Sequence, residues 1–187
     1  MLVAAADLLP GEQVFREREL VVGPSRTTPP VCLGCGRRVS GKVRCPGCSW
    51  PLCSAACASS TSLHTAEECA AIAPTGPSIP DVASPGGPAC PAYQAIAALR
   101  VASLPTEELD YLLEFMDHSE ERDTTDLEEN VVARVREEWG QAHIPAELLR
   151  RIEGILDVNG VEHGVKDAPS SQCFLPITAL ASHSCTR

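Results

Sequence analysis

The sequence has few aromatic residues, no long apolar run and no excess of positive charge. Only two Trp, two Tyr and three Phe occur among 187 residues, so we expect part of the core-forming sequence to lie outside this chain. No run approaches the roughly 18 apolar residues that a membrane-spanning helix requires. The apolar start Leu2 to Leu9 contains Asp7 and has no basic residue ahead of it, so a secretory signal is not predicted either.

The charge of the chain is acidic and unevenly placed. The formal net charge is −10, which disfavours binding of nucleic acid through bulk attraction. Residues 107–138 alone hold 13 Asp/Glu against 3 Arg. We therefore predict protein partners, no direct nucleic acid and no membrane. The predicted location is the nucleus or the cytoplasm, where thiols stay reduced and clustered Cys residues indicate metal binding or catalysis.

Seven of the ten Cys residues lie between residues 32 and 69, with one His among them. They form two Cys-x2-Cys pairs, then a Cys-x3-Cys pair, and a final His-x4-Cys pair. Eight thiol and imidazole donors are the number that fills two tetrahedral zinc sites. Spacing alone permits two consecutive sites or two interleaved ones. The candidate zinc ligands are Cys32, Cys35, Cys45, Cys48, Cys53, Cys57, His64 and Cys69.

This segment is too poor in large apolar side chains to fold on its own core. It contains mainly Val39, Val43, Trp50, Leu52 and Leu63, and units of about 40 residues seldom fold without a metal or disulfides. A structural zinc ion can contribute on the order of 10–16 kcal/mol of apparent folding free energy. We predict that the fold of residues 32–69 depends on two zinc ions.

Proline, glycine and hydrophobic periodicity organise the rest of the chain. Residues 74–91 hold six Pro and three Gly and are predicted to be an extended linker. Three amphipathic helices are predicted, whose apolar stripes face a core and whose acidic faces are exposed. The sequence shows no evident internal repeat. The predicted elements are an extended stretch over residues 12–23, helices over about 106–117 and 125–139, a third helix that Pro145 opens and Asn159-Gly160 ends, and a short strand over 173–175.

The order of the ligand pairs resembles the MYND zinc finger. That family also has two Cys-x2-Cys pairs, a Cys-x3-Cys pair and a final His and Cys, usually with three residues between those last two where this chain has four. The resemblance implies interleaved zinc sites. One zinc would take Cys32, Cys35, Cys53 and Cys57, and the other would take Cys45, Cys48, His64 and Cys69.

The sequences around the finger resemble the split SET domain of the SMYD family, protein lysine methyltransferases that use S-adenosylmethionine. The stretch from Val3 to Glu12, continued by Val21-Val22-Gly23-Pro24, resembles the opening SET strands, and Cys45-Pro-Gly-Cys48-Ser-Trp-Pro-Leu-Cys53 is similar to the arthropod branch. Ala181-Ser182-His183-Ser184-Cys185 resembles the family motif Asn-His-Ser-Cys-x-Pro-Asn. The resemblance implies that Ser182 and His183 contact S-adenosylmethionine.

The resemblance also implies an α+β fold in which a zinc-stabilised finger and a helical insert interrupt an incomplete, β-rich SET domain. The implied parts are residues 1–30, the N-terminal part of the SET domain; 32–69, the finger; 74–91, the linker; 92–157, the helical insert; and 158–187, the start of the SET core. The family's glycine turn for the cofactor and its catalytic tyrosine have no counterpart in the sequence. We therefore expect an inactive fragment of a methyltransferase-like protein.

A second hypothesis assigns the working role to the finger alone. MYND fingers of transcriptional regulators dock Pro-rich peptides without any catalysis, and this chain would then be a non-catalytic interaction module. The enzyme hypothesis instead implies a protein lysine substrate for the parent protein.

Overall fold

A computed structural model describes residues 4–25, 30–59, 63–73, 91–118, 125–165 and 168–181. This part of the chain contains helices and one small antiparallel sheet, so the mixed α and β character predicted from the sequence is confirmed. The strands are β1 (Val21–Pro24), β2 (Gly160–Val165) and β3 (Ala168–Phe174). The helices are α1 (Ala56–Ser59), α2 (Ala66–Ile72), α3 (Pro91–Ala102), α4 (Thr106–Leu112), α5 (Asp126–Ala133), α6 (Ala146–Asn159) and α7 (Pro176–Leu180), and a π-helical turn (Arg134–Glu138) follows α5.

The sheet joins the two ends of the described chain. Its strand order is β1-β3-β2, with both pairs antiparallel, and Phe174 of β3 is paired with Val21 on one side and Gly160 on the other. The candidate zinc segment and helices α1 to α6 therefore lie, in sequence, between β1 and β2. Strand β1 covers only the end of the predicted stretch over residues 12–23, because five charged residues within 12–19 leave that part no apolar face to bury.

Helix α3 lies against the sheet and was not predicted. Nearly all its described side chains are buried, including Tyr93, Ile96 and Val101. A helix that is buried on every side shows no amphipathic period, and periodicity was the signal used for the other helices. The helix approaches β1 closely, since a Cβ on Gly23 would lie 2.5 Å from Cβ of Ala97. Glycine facing alanine is what permits this contact.

The three predicted helices are present, two of them with adjusted ends. Helix α4 ends at Leu112, about one turn earlier than predicted. Helix α5 begins with a capping box between Thr125 and Glu128, and the π-helical turn continues it to residue 138. Helix α6 starts after Pro145 and ends at Asn159, so both predicted ends are confirmed. Most of the predicted linker, residues 74–90, lies outside the described residues.

Three aromatic residues form one buried cluster. Trp50 and Trp139 are 1% and 2% exposed, and Tyr93 is fully buried. The ring of Trp50 lies 5.8 Å from that of Tyr93 and 6.3 Å from that of Trp139, measured between centroids. Trp50 belongs to the cysteine-rich segment, so that segment and the helices share one core. Among the described residues, no helix is both long enough and apolar enough to cross a membrane.

Candidate metal centre

Two turns of the same geometry present the first four cysteines. The backbone N–H of Gly36 donates to the carbonyl of Cys32 at 2.8 Å, and Ser49 donates to Cys45 at 2.9 Å. Gly36 and Ser49 both have left-handed φ angles, +67° and +63°, and one β-bridge closes each turn. The chain therefore contains a structural repeat that the sequence analysis did not find. The repeat could have been predicted, because the string Cys-x-Gly-Cys occurs in both turns.

The other four candidate ligands come from two short helical segments. Cys53 precedes α1 and Cys57 lies within it, one helical turn further on. His64 precedes α2 and Cys69 lies within it. Thr65 caps α2 by accepting a hydrogen bond from the backbone N–H of Glu68 at 3.1 Å, and this cap fixes where the helix starts relative to His64.

The eight donors lie in two groups of four, and in each group all donor atoms are within 4.8 Å of one another. The groups are interleaved along the sequence and not consecutive. Cluster 1 consists of Cys32, Cys35, Cys53 and Cys57, and cluster 2 consists of Cys45, Cys48, His64 and Cys69.

The donor spacing fits zinc and does not fit disulfides. With Zn–S bonds of about 2.3 Å, the sulfurs of a tetrahedral site are about 3.8 Å apart, and a sulfur and an imidazole nitrogen are about 3.5 Å apart. The Cys35–Cys53 sulfur distance is 3.8 Å, Cys45–Cys69 is 3.6 Å, and Cys48 Sγ lies 3.5 Å from Nε2 of His64. All of these exceed a disulfide bond of about 2.05 Å.

Backbone N–H groups donate hydrogen bonds to two sulfurs of cluster 2. Burial opposes ionisation of Cys45, but hydrogen bonds from the N–H groups of Cys48 and Gly47, together with His64, lower the pKa of the thiol to about 6. Burial raises the pKa of Cys48 despite a hydrogen bond from the backbone N–H of Trp50. Without a cation, therefore, the thiols of this cluster do not ionise together.

In cluster 1, too, the pKa is lowered for one thiol and raised for others. A hydrogen bond from the Cys57 thiol lowers the pKa of Cys53 to about 7, and the same contact raises the pKa of Cys57 to about 12. Burial raises the pKa of Cys35. Closely packed thiols repel one another once they are ionised, whereas a bound dication stabilises all the thiolates at once.

The glycine in each Cys-x-Gly-Cys turn makes room for a ligand from one of the two short helices, α1 for Gly34 and α2 for Gly47. A Cβ on Gly34 would lie 2.9 Å from Cβ of Cys57, and a Cβ on Gly47 would lie 2.7 Å from Sγ of Cys69. Neither glycine has a positive φ, so space and not backbone conformation requires glycine there. Sequence reasoning did not single out these two residues.

We expect Gly47→Ala to disturb cluster 2, because the added methyl group would collide with the sulfur of Cys69. Such overpacking costs about 1–3 kcal/mol, and we expect a loss of this size in the urea unfolding of the zinc-loaded protein. Lys42→Ala is the control, since Lys42 is an exposed residue of the same segment. A loss no larger in Gly47→Ala than in Lys42→Ala would contradict this role of Gly47.

His64 is oriented by a buried carboxylate. Its Nε2 faces Cys48, and its Nδ1 lies 2.7 Å from Oε1 of Glu68, to which it donates. Burial disfavours the charged form of Glu68, but the hydrogen bonds from His64 and Arg100 outweigh it and lower the pKa of the carboxyl. A metal-binding His commonly donates its second N–H to a carboxylate in this way. Sequence reasoning missed Glu68, although a Glu four residues after a candidate His ligand was a usable signal.

The predicted cofactor residues Ser182 and His183 lie outside the described residues. Comparisons of the chain with protein-family models, with curated proteins and with solved structures gave no match. The geometry of the two clusters is therefore the evidence for function.

Proposed function

We propose that this chain is a zinc-binding module in which clusters 1 and 2 each hold one zinc ion. The observation that carries the proposal is the convergence of eight donors into two groups of four, in each of which all donor atoms lie within 4.8 Å of one another. Each group already supplies four protein donors, which leaves no coordination position for water or substrate. Sites closed in this way are structural, so zinc would stabilise the fold and not perform chemistry.

We further propose that the module is of the MYND type and belongs to a SMYD-like protein lysine methyltransferase. Two features support this proposal. The interleaved grouping of the ligands is the one that the resemblance implies, and the cysteine-rich segment and the helices are inserted between β1 and β2 of a single sheet. In this proposal S-adenosylmethionine would contact Ser182 and His183, and the partner would be a protein lysine.

The alternative function, docking of Pro-rich peptides, is favoured by a cleft beside cluster 2. The cleft has a volume of about 670 Å³ and is lined by three ligands of cluster 2 and by small side chains, including Pro46, Ala66, Ala70 and Ala73. Titrations with two ligands separate the two functions. Saturable binding of S-adenosylmethionine that is weakened by His183→Ala would support the methyltransferase proposal, and saturable binding of a Pro-rich peptide that is weakened by Ala70→Glu in the cleft would favour the interaction module.

Zinc content tests the zinc module itself. We expect native mass spectrometry to find two zinc ions in the wild-type chain and one in each of Cys35→Ser and Cys48→Ser, because the two substitutions disable different clusters. Cys173→Ser is the control, since Cys173 is a buried cysteine of β3 outside both clusters. It should retain both ions. A wild-type chain without zinc, or an equal loss in the control, would contradict the proposal.

A further inference from the structure

One arginine connects cluster 2 to the rest of the fold. Arg100 lies in the last turn of α3, and its side chain is 11% exposed. Its Nε lies 2.5 Å from Oε2 of Glu68, and one terminal nitrogen lies 3.0 Å from Oε1. This two-point contact is the fork geometry in which guanidinium and carboxylate bind most strongly.

The same guanidinium also binds two backbone carbonyls from other parts of the chain. It donates to the carbonyl of Val22 in β1 at 2.7 Å and to the carbonyl of Leu33 at 3.0 Å. Leu33 lies between the cluster 1 residues Cys32 and Cys35. A single side chain thus reaches strand β1, the first cysteine turn and the carboxylate that holds His64.

The carboxylate of Glu68 is buried, so water cannot replace its hydrogen-bond partners. The side chain of Glu68 is 5% exposed, and both of its oxygens are engaged, Oε1 by His64 and Arg100 and Oε2 by Arg100. Removing one partner from a buried charge leaves the other uncompensated, which is strongly destabilising. The contacts are therefore interdependent, and we expect a displacement of the His64 ring to alter the hydrogen bonds of Arg100.

We propose that Glu68 and Arg100 are positioning residues of cluster 2, and that through them zinc at this cluster holds helix α3 and strand β1 in place. The inference rests on the proposed zinc binding but goes beyond it. Zinc bound by Nε2 of His64 would fix the imidazole ring and keep Nδ1–H directed at Glu68. Glu68 in turn holds the Arg100 guanidinium that donates to the Val22 carbonyl. Loss of this zinc should loosen β1, although no residue of β1 is a ligand.

The test uses the full chain loaded with cobalt(II), whose absorption reports the ligand geometry of tetrahedral thiolate sites. The variants are Glu68→Gln, which keeps an acceptor for His64 but removes the charge, and Arg100→Lys, which keeps the charge but removes the fork. The matched controls are Glu67→Gln, an exposed neighbour on the same helix, and Arg150→Lys, a partly exposed arginine of α6 that also binds a carboxylate.

Zinc affinity is measured by competition with a chelator, and amide hydrogen exchange is measured at Val21 and Val22. We expect Glu68→Gln to weaken zinc binding at cluster 2 by roughly 10–100-fold, as changes around metal ligands commonly do. Cluster 1 should be weakened less than cluster 2, because the contact of Arg100 with its turn is to the backbone carbonyl of Leu33. In both variants the cobalt spectrum of cluster 2 should change and the β1 amides should exchange faster, whereas both controls should match wild type.

The outcomes separate this inference from the proposed function. If the wild-type chain binds two metal ions but both variants match their controls in affinity, spectrum and exchange, the positioning role is overturned and the zinc module stands. Lower stability with an unaltered cobalt spectrum would also overturn it, because a merely structural ion pair would behave so. If the wild-type chain binds fewer than two ions, the proposed function fails and the inference fails with it.

Discussion

Removal of both zinc ions with a chelator is expected to unfold the cysteine-rich segment and to expose both tryptophans of the chain. Structural zinc contributes on the order of 10–16 kcal/mol per site. A whole domain is stable by only about 5–15 kcal/mol, so the metal-free segment cannot stay folded. Trp50 belongs to that segment and Trp139 touches it, and both are buried.

Tryptophan fluorescence and near-UV circular dichroism measure this result directly. Emission should shift to longer wavelength as zinc is removed, and the near-UV signal should fall. Addition of zinc under reducing conditions should restore both signals, whereas magnesium should not, because it prefers oxygen ligands. Native spectra after complete removal of the metal would show that the fold does not depend on zinc.

Replacement of Trp50 by alanine should cost about 3–5 kcal/mol of unfolding free energy, the usual range for a large buried aromatic residue. The ring contacts Tyr93 of α3 and Trp139 after the π-helical turn. Its loss would leave a cavity where the cysteine-rich segment meets the helices. Urea unfolding of the zinc-loaded protein measures the effect.

Two further variants make this prediction sharper. Met116→Ala should change stability little, because Met116 is 66% exposed. Trp50→Phe should cost less than Trp50→Ala, because it keeps most of the apolar ring. It also removes an indole N–H that finds no acceptor in the described part of the chain. If Trp50→Ala is as stable as Met116→Ala, Trp50 does not join the segment to the helices.

The sequence predicted those features that depend on local spacing. The eight donors were identified because pairs two or three residues apart are a local signal. Helices α4, α5 and α6 were found because each has an apolar stripe on one side. The start of α5 was also predicted near Thr125, where the structure has a capping box between Thr125 and Glu128.

The features that the sequence did not reveal depend on contacts between distant segments. Helix α3 is rich in alanine and buried on all sides, so its sequence shows no amphipathic periodicity. Spacing left the ligand grouping open, because two-residue spacers allow either arrangement of the pairs. Arg100 is 32 residues from Glu68 and 78 from Val22, and no local pattern joins residues that far apart.

The central claim is that this chain holds two zinc ions in interleaved sites, and cadmium-113 NMR of the cadmium-substituted protein tests it most directly. Scalar coupling to ligand protons identifies which residues bind each ion. We predict two resonances, one coupled to Cys32, Cys35, Cys53 and Cys57, the other to Cys45, Cys48, His64 and Cys69. A single resonance, or one resonance coupled to Cys32, Cys35, Cys45 and Cys48 together, would contradict the account.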